Sequence, residues 1–384
     1  MIRRAHVALA VAFIGFGIVD GTWAARLPAL EHRLQLDSGE LGIVIFCVSL
    51  TATAMLGPAG ALASRRGSRG PVGLGLVVMA AGLTAAALAP SLSTLIPAAC
   101  VLGAGLGTLD VSANAHAVAV ERRLGRPVLS ALHGAWSFGL LGGAAIAAGA
   151  AAAGIGPHGQ FPATAAGVVL LTLLFVPRLL PGAEDAAADS AHFALPRGAL
   201  ALPALLTFAS MFVESATMNW SAVFLAGPAG ASAALAAGGV VAFSIAMALA
   251  RLVGDRLGVR WGIDGLARAG GLTVVAGVVL AIATRSSIPA LAGFALVGAG
   301  AGALVPALFR VAASVPGISS GAGIAAVATA GYCGGVVNGP SIGFIARGVG
   351  LSAALSLIGV AGALIALLGP RLSPAARAVR RAPA

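Results

Sequence analysis

The stretch LGAGLGTLD, from Leu102 to Asp110, returns as VGAGAGALV, from Val297 to Val305. The two copies lie 195 positions apart in a chain of 384 residues. An offset of about half the chain predicts a protein built from duplicated halves. In a chain this apolar, duplicated halves predict a transporter whose binding site lies between them. The copies differ where chemistry would sit. Asp110 in the first stands where the second has Val305, and Asn114 stands against Phe309.

Composition sends the chain into a bilayer. Hydrophobic residues make up 59% and charged residues 9%, against about 25% charged in soluble domains. Mean hydropathy is +1.01. The 55 glycines and 20 prolines suit membrane helices, where small residues let backbones approach and neighbouring helices compensate proline breaks. The net charge of +11 does not point to nucleic acid, because the arginines form no single patch. They fall in short groups between apolar runs, as topology signals do. All 23 basic residues are Arg, which we attribute to coding bias. Cys47, Cys100 and Cys333 lie inside apolar runs. Odd in number and dispersed, they predict buried, inert thiols with no disulfide framework and no metal spacing. The first apolar run imitates a signal peptide, with Thr22-Trp23-Ala24-Ala25 as a mock cleavage site; the many spans that follow favour an uncleaved first span.

Apolar runs between Arg, Pro or Gly-rich breaks predict twelve spans, at 5–27, 40–63, 71–90, 94–118, 128–153, 161–180, 199–226, 232–254, 265–284, 288–313, 321–345 and 351–370. Each can cross a hydrocarbon core about 30 Å thick. The fold class is therefore an all-α membrane protein with two pseudo-symmetric six-helix halves, 1–180 and 199–370. A cytoplasmic linker, 181–198, carries Glu184, Asp185 and Asp189, and a basic tail occupies 371–384. With the N-terminus cytoplasmic, outer segments hold only Arg26, Arg33, Arg285 and Arg347, and every other arginine, Arg251 included, falls on an inner segment. That asymmetry predicts a multi-pass protein of the bacterial inner membrane with both termini cytoplasmic.

Ionisable side chains inside spans are costly, so each is a candidate for function. The acids are Asp20 in the first span, Asp110 in the fourth and Glu214 in the seventh. By helical rise, Asp20 and Glu214 fall toward the outside and Asp110 in the inner half. Arg310 lies near the inner end of the tenth span. These are equivalent spans of the two halves. A carboxylate in a partly dry cavity that takes and releases protons is the chemistry of proton coupling; the alternative is a structural carboxylate held by backbone or Arg partners. Around the acids stand Asn114, on the helical face of Asp110, then Trp23, Asn219 and Trp220. Amide and indole groups suit a small polar solute with an apolar ring face, or else helix–helix hydrogen bonds and interfacial tryptophans. The fifth span opens with Ser130, His133, Trp136 and Ser137. His133 reads as the one histidine clearly inside a span, within reach of Asp110 and suited to proton relay near neutral pH. Tyr332 and Asn338 are the polar exceptions of the eleventh span.

Two inner loops carry a further signal. After the second span stands Gly60-Ala61-Leu62-Ala63-Ser64-Arg65-Arg66-Gly67-Ser68-Arg69; after the eighth stands Asp255-Arg256-Leu257-Gly258-Val259-Arg260. They resemble the G-x-L-A-D-R-x-G-R-R signature of the major facilitator superfamily. The resemblance implies that fold and a gating role for Gly60, Ser64, Arg65, Gly67, Asp255, Arg256 and Gly258. In the family the Asp caps a neighbouring helix and pairs with Arg. The second copy keeps it as Asp255. The first has Ser64, which can still cap a helix N-terminus but brings no charge. The stretch from Gly105 to Asn114 is similar to the G-L-G-x-L-E-x-A-A-N of fucose-permease-like sugar/proton symporters, with the family acid on Asp110, one methylene shorter, and its first-span acid on Asp20. Gly21–Pro28 and His133–Ser137 resemble the YbjJ-type bacterial inner-membrane branch.

The expected function is secondary active transport by alternating access, with proton-coupled uptake of a small, sugar-like polar solute. Alternatives are proton-antiport efflux of drugs or metabolites, and a non-transporting sensor with a transporter fold. The expected partners are the solute, protons and lipid; a monomer suffices, and nucleic acid has no place. No cofactor or metal is implied. Neither Gly-rich stretch follows a strand, no P-loop is present, and no catalytic constellation suggests an enzyme.

Overall fold

In a computed structural model, residues 2–126, 128–181 and 196–372 are described, and no strand occurs among them. The linker acids Glu184, Asp185 and Asp189, and the tail from 373 onward, lie outside the described residues. So do the side chains of Ser130 and Asp255. The chain divides into two compact units, Met1–Ser190 and Ala191–Ala384.

The first unit holds α1 (Ile2–Leu34), α2 (Ser38–Arg66), α3 (Arg69–Leu88), α4 (Leu92–Leu124), α5 (Leu129–Ala152) and α6 (Pro157–Phe175). Here α1 packs on α5, α4 on both α2 and α3, and α6 on α3. The second unit holds α7 (Ala201–Ala226), α8 (Ala233–Thr284), α9 (Ser287–Ala301), α10 (Leu304–Ala313), α11 (Ser320–Val349) and α12 (Leu351–Leu368). There α7 packs on α11, and α8 on α9 and α12. Among the described residues, eleven helical stretches are long and apolar enough to cross a membrane. Two of them, Ala233–Gly254 and Arg256–Thr284, lie in α8, and one, Ser287–Ala313, combines α9 and α10. The 30-residue α11 is a twelfth helix of membrane length.

Boundaries differ from expectation where charge was taken for a loop. Residues 255–261, expected as an inner loop, are helical; the one non-helical residue in α8 is Gly262, at φ 71°, a left-handed conformation natural to glycine. Gly60, Ser64 and Arg65 likewise belong to α2, and the turn is confined to Gly67, at φ 78°, and Ser68. Helices extend past the apolar core with charged ends, so α1 and α4 each run 33 residues. Asp20, Asp110 and Glu214 all fall near the middle of their helices.

The repeated glycines perform the same task twice. A side chain on Gly103 or Gly107 would strike the α2 backbone at Val48 and Ala52, and one on Gly105 would strike α3 at Met79. In the second unit, Gly298 and Gly302 meet the first arm of α8 at Phe243 and Met247, whereas Gly300 meets its second arm at Gly270. Alternate glycines thus let one helix touch two neighbours at backbone distance. The copies part at their ends. α4 runs on through Val111, but the second copy meets Pro306, and the helix breaks between Ala301 and Leu304. Proline has no N–H, so the carbonyl of Gly302, four residues earlier, loses its helical donor.

Candidate functional site

In the first unit, α1, α4 and α5 bring five of the expected residues together. Asp20 on α1 is buried and accepts from Trp136 Nε1 on α5 at 3.2 Å. On α4, Asn114 Nδ2 donates to the Asp110 carboxylate and to the Asp110 carbonyl, each at 2.9 Å. The backbone carbonyl can only accept, so Nδ2 faces Asp110 and Oδ1 faces away. That Oδ1 lies 3.2 Å from His133 Nε2, which must therefore carry a proton and donate. Sequence placed His133 within reach of Asp110; in the structure Asn114 is bonded to both. Phe13 of α1 meets the His133 ring edge to face at 5.5 Å, and Phe16 meets Trp136 at 6.2 Å. The Asp20 and Asp110 carboxylates are close enough to interact electrostatically.

In the second unit, Glu214 of α7 is paired with Arg251 of α8. Arg251 Nη2 lies 3.1 and 3.3 Å from the two Glu214 oxygens, and Nε donates to the Gly302 carbonyl at 3.3 Å. The carbonyl stranded by Pro306 is thus satisfied by an arginine from a neighbouring helix. Arg251, read from sequence only as an inner-segment topology charge, thus has two partners inside the helix bundle. Asn219 Nδ2 donates to Asn338 Oδ1 at 3.4 Å, linking α7 to α11. Tyr332 is half-buried on α11, and Arg310 is exposed in the last turn of α10.

The structure places the other expected residues as follows. Trp23 is 5% exposed and packs on Phe161 of α6 at 6.5 Å. Trp220 is 0% exposed. Both are core side chains with no ring face open to a solute. Ser64 caps no neighbouring helix; its hydroxyl donates to Ala61 of its own helix at 3.0 Å. His133 is not the only histidine inside a helix. His116 on α4 is 0% exposed, 2.7 Å from Ser68 Oγ, and accepts the Leu180 N–H at Nε2. An Nε2 that accepts leaves the proton of a neutral ring on Nδ1, which donates to Ser68. His116 therefore ties the turn between α2 and α3 to the segment after α6. Arg26 and Arg33, read as outer topology charges, also have structural partners. Arg26 donates to the Ile155 carbonyl, and Arg33 to Ala86, Ala87 and Ala89 at the end of α3, where a cation favours the helix terminus. Finally, no cysteine is fully buried and Cys333 is exposed; Cys47 and Cys100 meet side by side between α2 and α4.

Arg251 and His116 were the residues missed. A signal for Arg251 existed: Val240, Ser244, Met247 and Arg251 share one helical stripe, and the first three are buried.

No family model matches the chain. An uncharacterized MFS-type transporter of Yersinia pestis is 33% identical over 381 residues, spanning 98% of this chain and 96% of the relative. An uncharacterized transporter of Sinorhizobium fredii is 31% identical over 369 residues, spanning 95% and 97%. Among solved structures, a bacterial homologue of the human lysosomal transporter Spinster matches with TM-score 0.77 at 13% identity, covering 100% of this chain and 99% of that one. The fucose:proton symporter FucP of Escherichia coli matches with TM-score 0.62 at 15% identity, covering 96% and 98%. At such identities the structural likeness speaks for the fold alone.

Proposed function

The chain belongs to the major facilitator superfamily, as a multi-pass membrane transporter and not an enzyme, and on that premise we propose that it couples proton entry to uptake of a small polar solute by alternating access. The observation that supports this reading most is the array Asp110–Asn114–His133, with Asp20 and Trp136 beside it. Each of these polar groups sits within a membrane helix, where its cost argues for use. Asp110 is the main proton carrier in this reading, and Asp20 a second carrier or a solute contact. Asn114 orients His133 and holds Asp110, so that a change of charge on the acid reaches the imidazole through one amide. In the second unit Asn219 and Tyr332 are the polar contacts for a solute, and the buried Asn338 holds Asn219 in place. The protein resides in the bacterial inner membrane, with both termini cytoplasmic.

The test uses proteoliposomes carrying an internal pH indicator. A panel of neutral sugars and sugar acids is added outside. Wild-type protein acidifies the lumen with one or more of these solutes, and Asp110→Asn does not. Solute-dependent proton entry that survives in Asp110→Asn sinks the coupling role.

A further inference from the structure

We infer that Arg251 anchors a carboxylate on the transported solute, and that Glu214 occupies the anchor until the solute arrives. The inference rests on the reading of the chain as a proton-coupled transporter and names the solute class: a polar molecule bearing a carboxylate.

The first support is placement. Arg251 lies on the buried stripe of α8 with Val240, Ser244 and Met247, whereas Ile245, Leu249, Leu252 and Val253 form the exposed stripe. The charge is thus turned away from the side of the helix that meets lipid, as a functional intramembrane cation should be. The second is orientation. Nε is fixed on the Gly302 carbonyl and Nη2 on both oxygens of Glu214. A guanidinium held on two sides is preorganised, so little rotamer freedom remains to be lost on binding. The third is spare capacity. The arginine side chain is 27% exposed and that of Glu214 19%. Among the described residues, Nη1 has no acceptor in the protein, leaving two N–H donors for a ligand.

The chemistry that fits is another carboxylate. Guanidinium and carboxylate match as planar groups with paired donors and acceptors, and Glu214 already occupies the position in that form. Charge balance links the two states. With Glu214 ionised, the pair is neutral. When Glu214 takes a proton, Arg251 is left with an unbalanced positive charge in a membrane interior. A solute monoanion restores neutrality. One proton and one carboxylate therefore load together without net charge entering the site.

The test labels full-length protein in detergent with phenylglyoxal, an arginine reagent, and follows the Arg251 peptide by mass spectrometry. Acetate is the probe and acetamide its neutral control. In Glu214→Gln, which lacks the resident competitor, acetate should slow labelling of Arg251 by roughly tenfold, the equivalent of about one charge-assisted hydrogen bond. Acetamide should not. Acetate that protects no better than acetamide in this variant overturns the inference. Should Glu214→Gln fail to fold, the same comparison is made on Glu214→Ala, which also lacks the competitor: selective protection by acetate supports the anchor, and equal protection overturns it. Labelling needs neither a gradient nor flux. A negative result here therefore leaves Asp110 coupling standing, and loss of coupling in Asp110→Asn leaves Arg251 standing.

Discussion

Trp136 donates its indole N–H to the Asp20 carboxylate at 3.2 Å, across 116 positions of sequence. The bond depends on close packing of α1 and α5. A side chain on Gly17 would strike the Trp136 carbonyl, and one on Gly21 would strike the Leu140 carbonyl. Trp136→Phe keeps the ring against Phe16 but leaves the buried acid without this donor. The expected cost is about 1–3 kcal/mol, that of a buried polar group losing its partner. Thermal unfolding in detergent measures it. Asp20→Asn should cost less in the Trp136→Phe background than in wild type; equal costs would mean the pair contributes nothing.

Backbone contact between α1 and α5 makes a second expectation. Gly143→Ala would drive a methyl into the Ile18 carbonyl and should destabilise by roughly 1–3 kcal/mol through overpacking. Its neighbour Gly142 meets nothing within 4 Å. Gly142→Ala should be neutral or stabilising by up to about 1 kcal/mol, since alanine favours helix. Matched melting curves for the two variants decide this, and similar shifts would contradict the packing.

The amide of Asn114 holds Asp110 on one side and His133 on the other. Asn114→Leu removes both bonds at nearly constant volume. It should lower solute-dependent proton entry in proteoliposomes by an order of magnitude or more, on the scale of one or two hydrogen bonds. Full activity in Asn114→Leu would show that the bridge has no part in coupling.

Glu214, Arg251 and Gly302 form one linked set, so their substitutions should not add. Arg251→Met leaves a carboxylate without its cation and a carbonyl without its donor. It should cost about 3 kcal/mol or more, and Glu214→Gln combined with Arg251→Met should cost less than Arg251→Met alone. Pro306→Ala restores a helical donor for the Gly302 carbonyl. In that background Arg251→Met should be milder than in wild type. Chemical denaturation of the full set gives each coupling energy, and strict additivity would break the proposed link between Pro306 and Arg251.

Much of the fold was legible because membrane insertion is set by run length and by arginine placement, both linear properties of the chain. The misread helix boundaries share one cause. Charges at 255–260 were taken to end a helix, since charge and loop usually coincide at a membrane edge. Helices here extend through such residues, and Gly262, not the charges, interrupts α8. The first-half cluster was legible in part: Asp110 and Asn114 share a helical face by spacing alone. Trp23 and Trp220 are packed in the core, and their spacing from an acid does not say which neighbouring helix covers them.

The chain by itself determined the duplication, the number of spans, and the alternation of glycines that lets one helix touch two neighbours. It also determined the break in the second copy, through the missing N–H of Pro306. Only the tertiary structure decided partners: Trp136 for Asp20, Arg251 for Glu214 and for the stranded carbonyl, His116 for Ser68. The physical reason is the solvent. In water, an apolar stripe tells which way a helix faces. In a bilayer, the lipid side and the protein side are equally apolar, so sequence periodicity does not orient the helix, and side-chain contacts wait on the packing that rotates each helix into place.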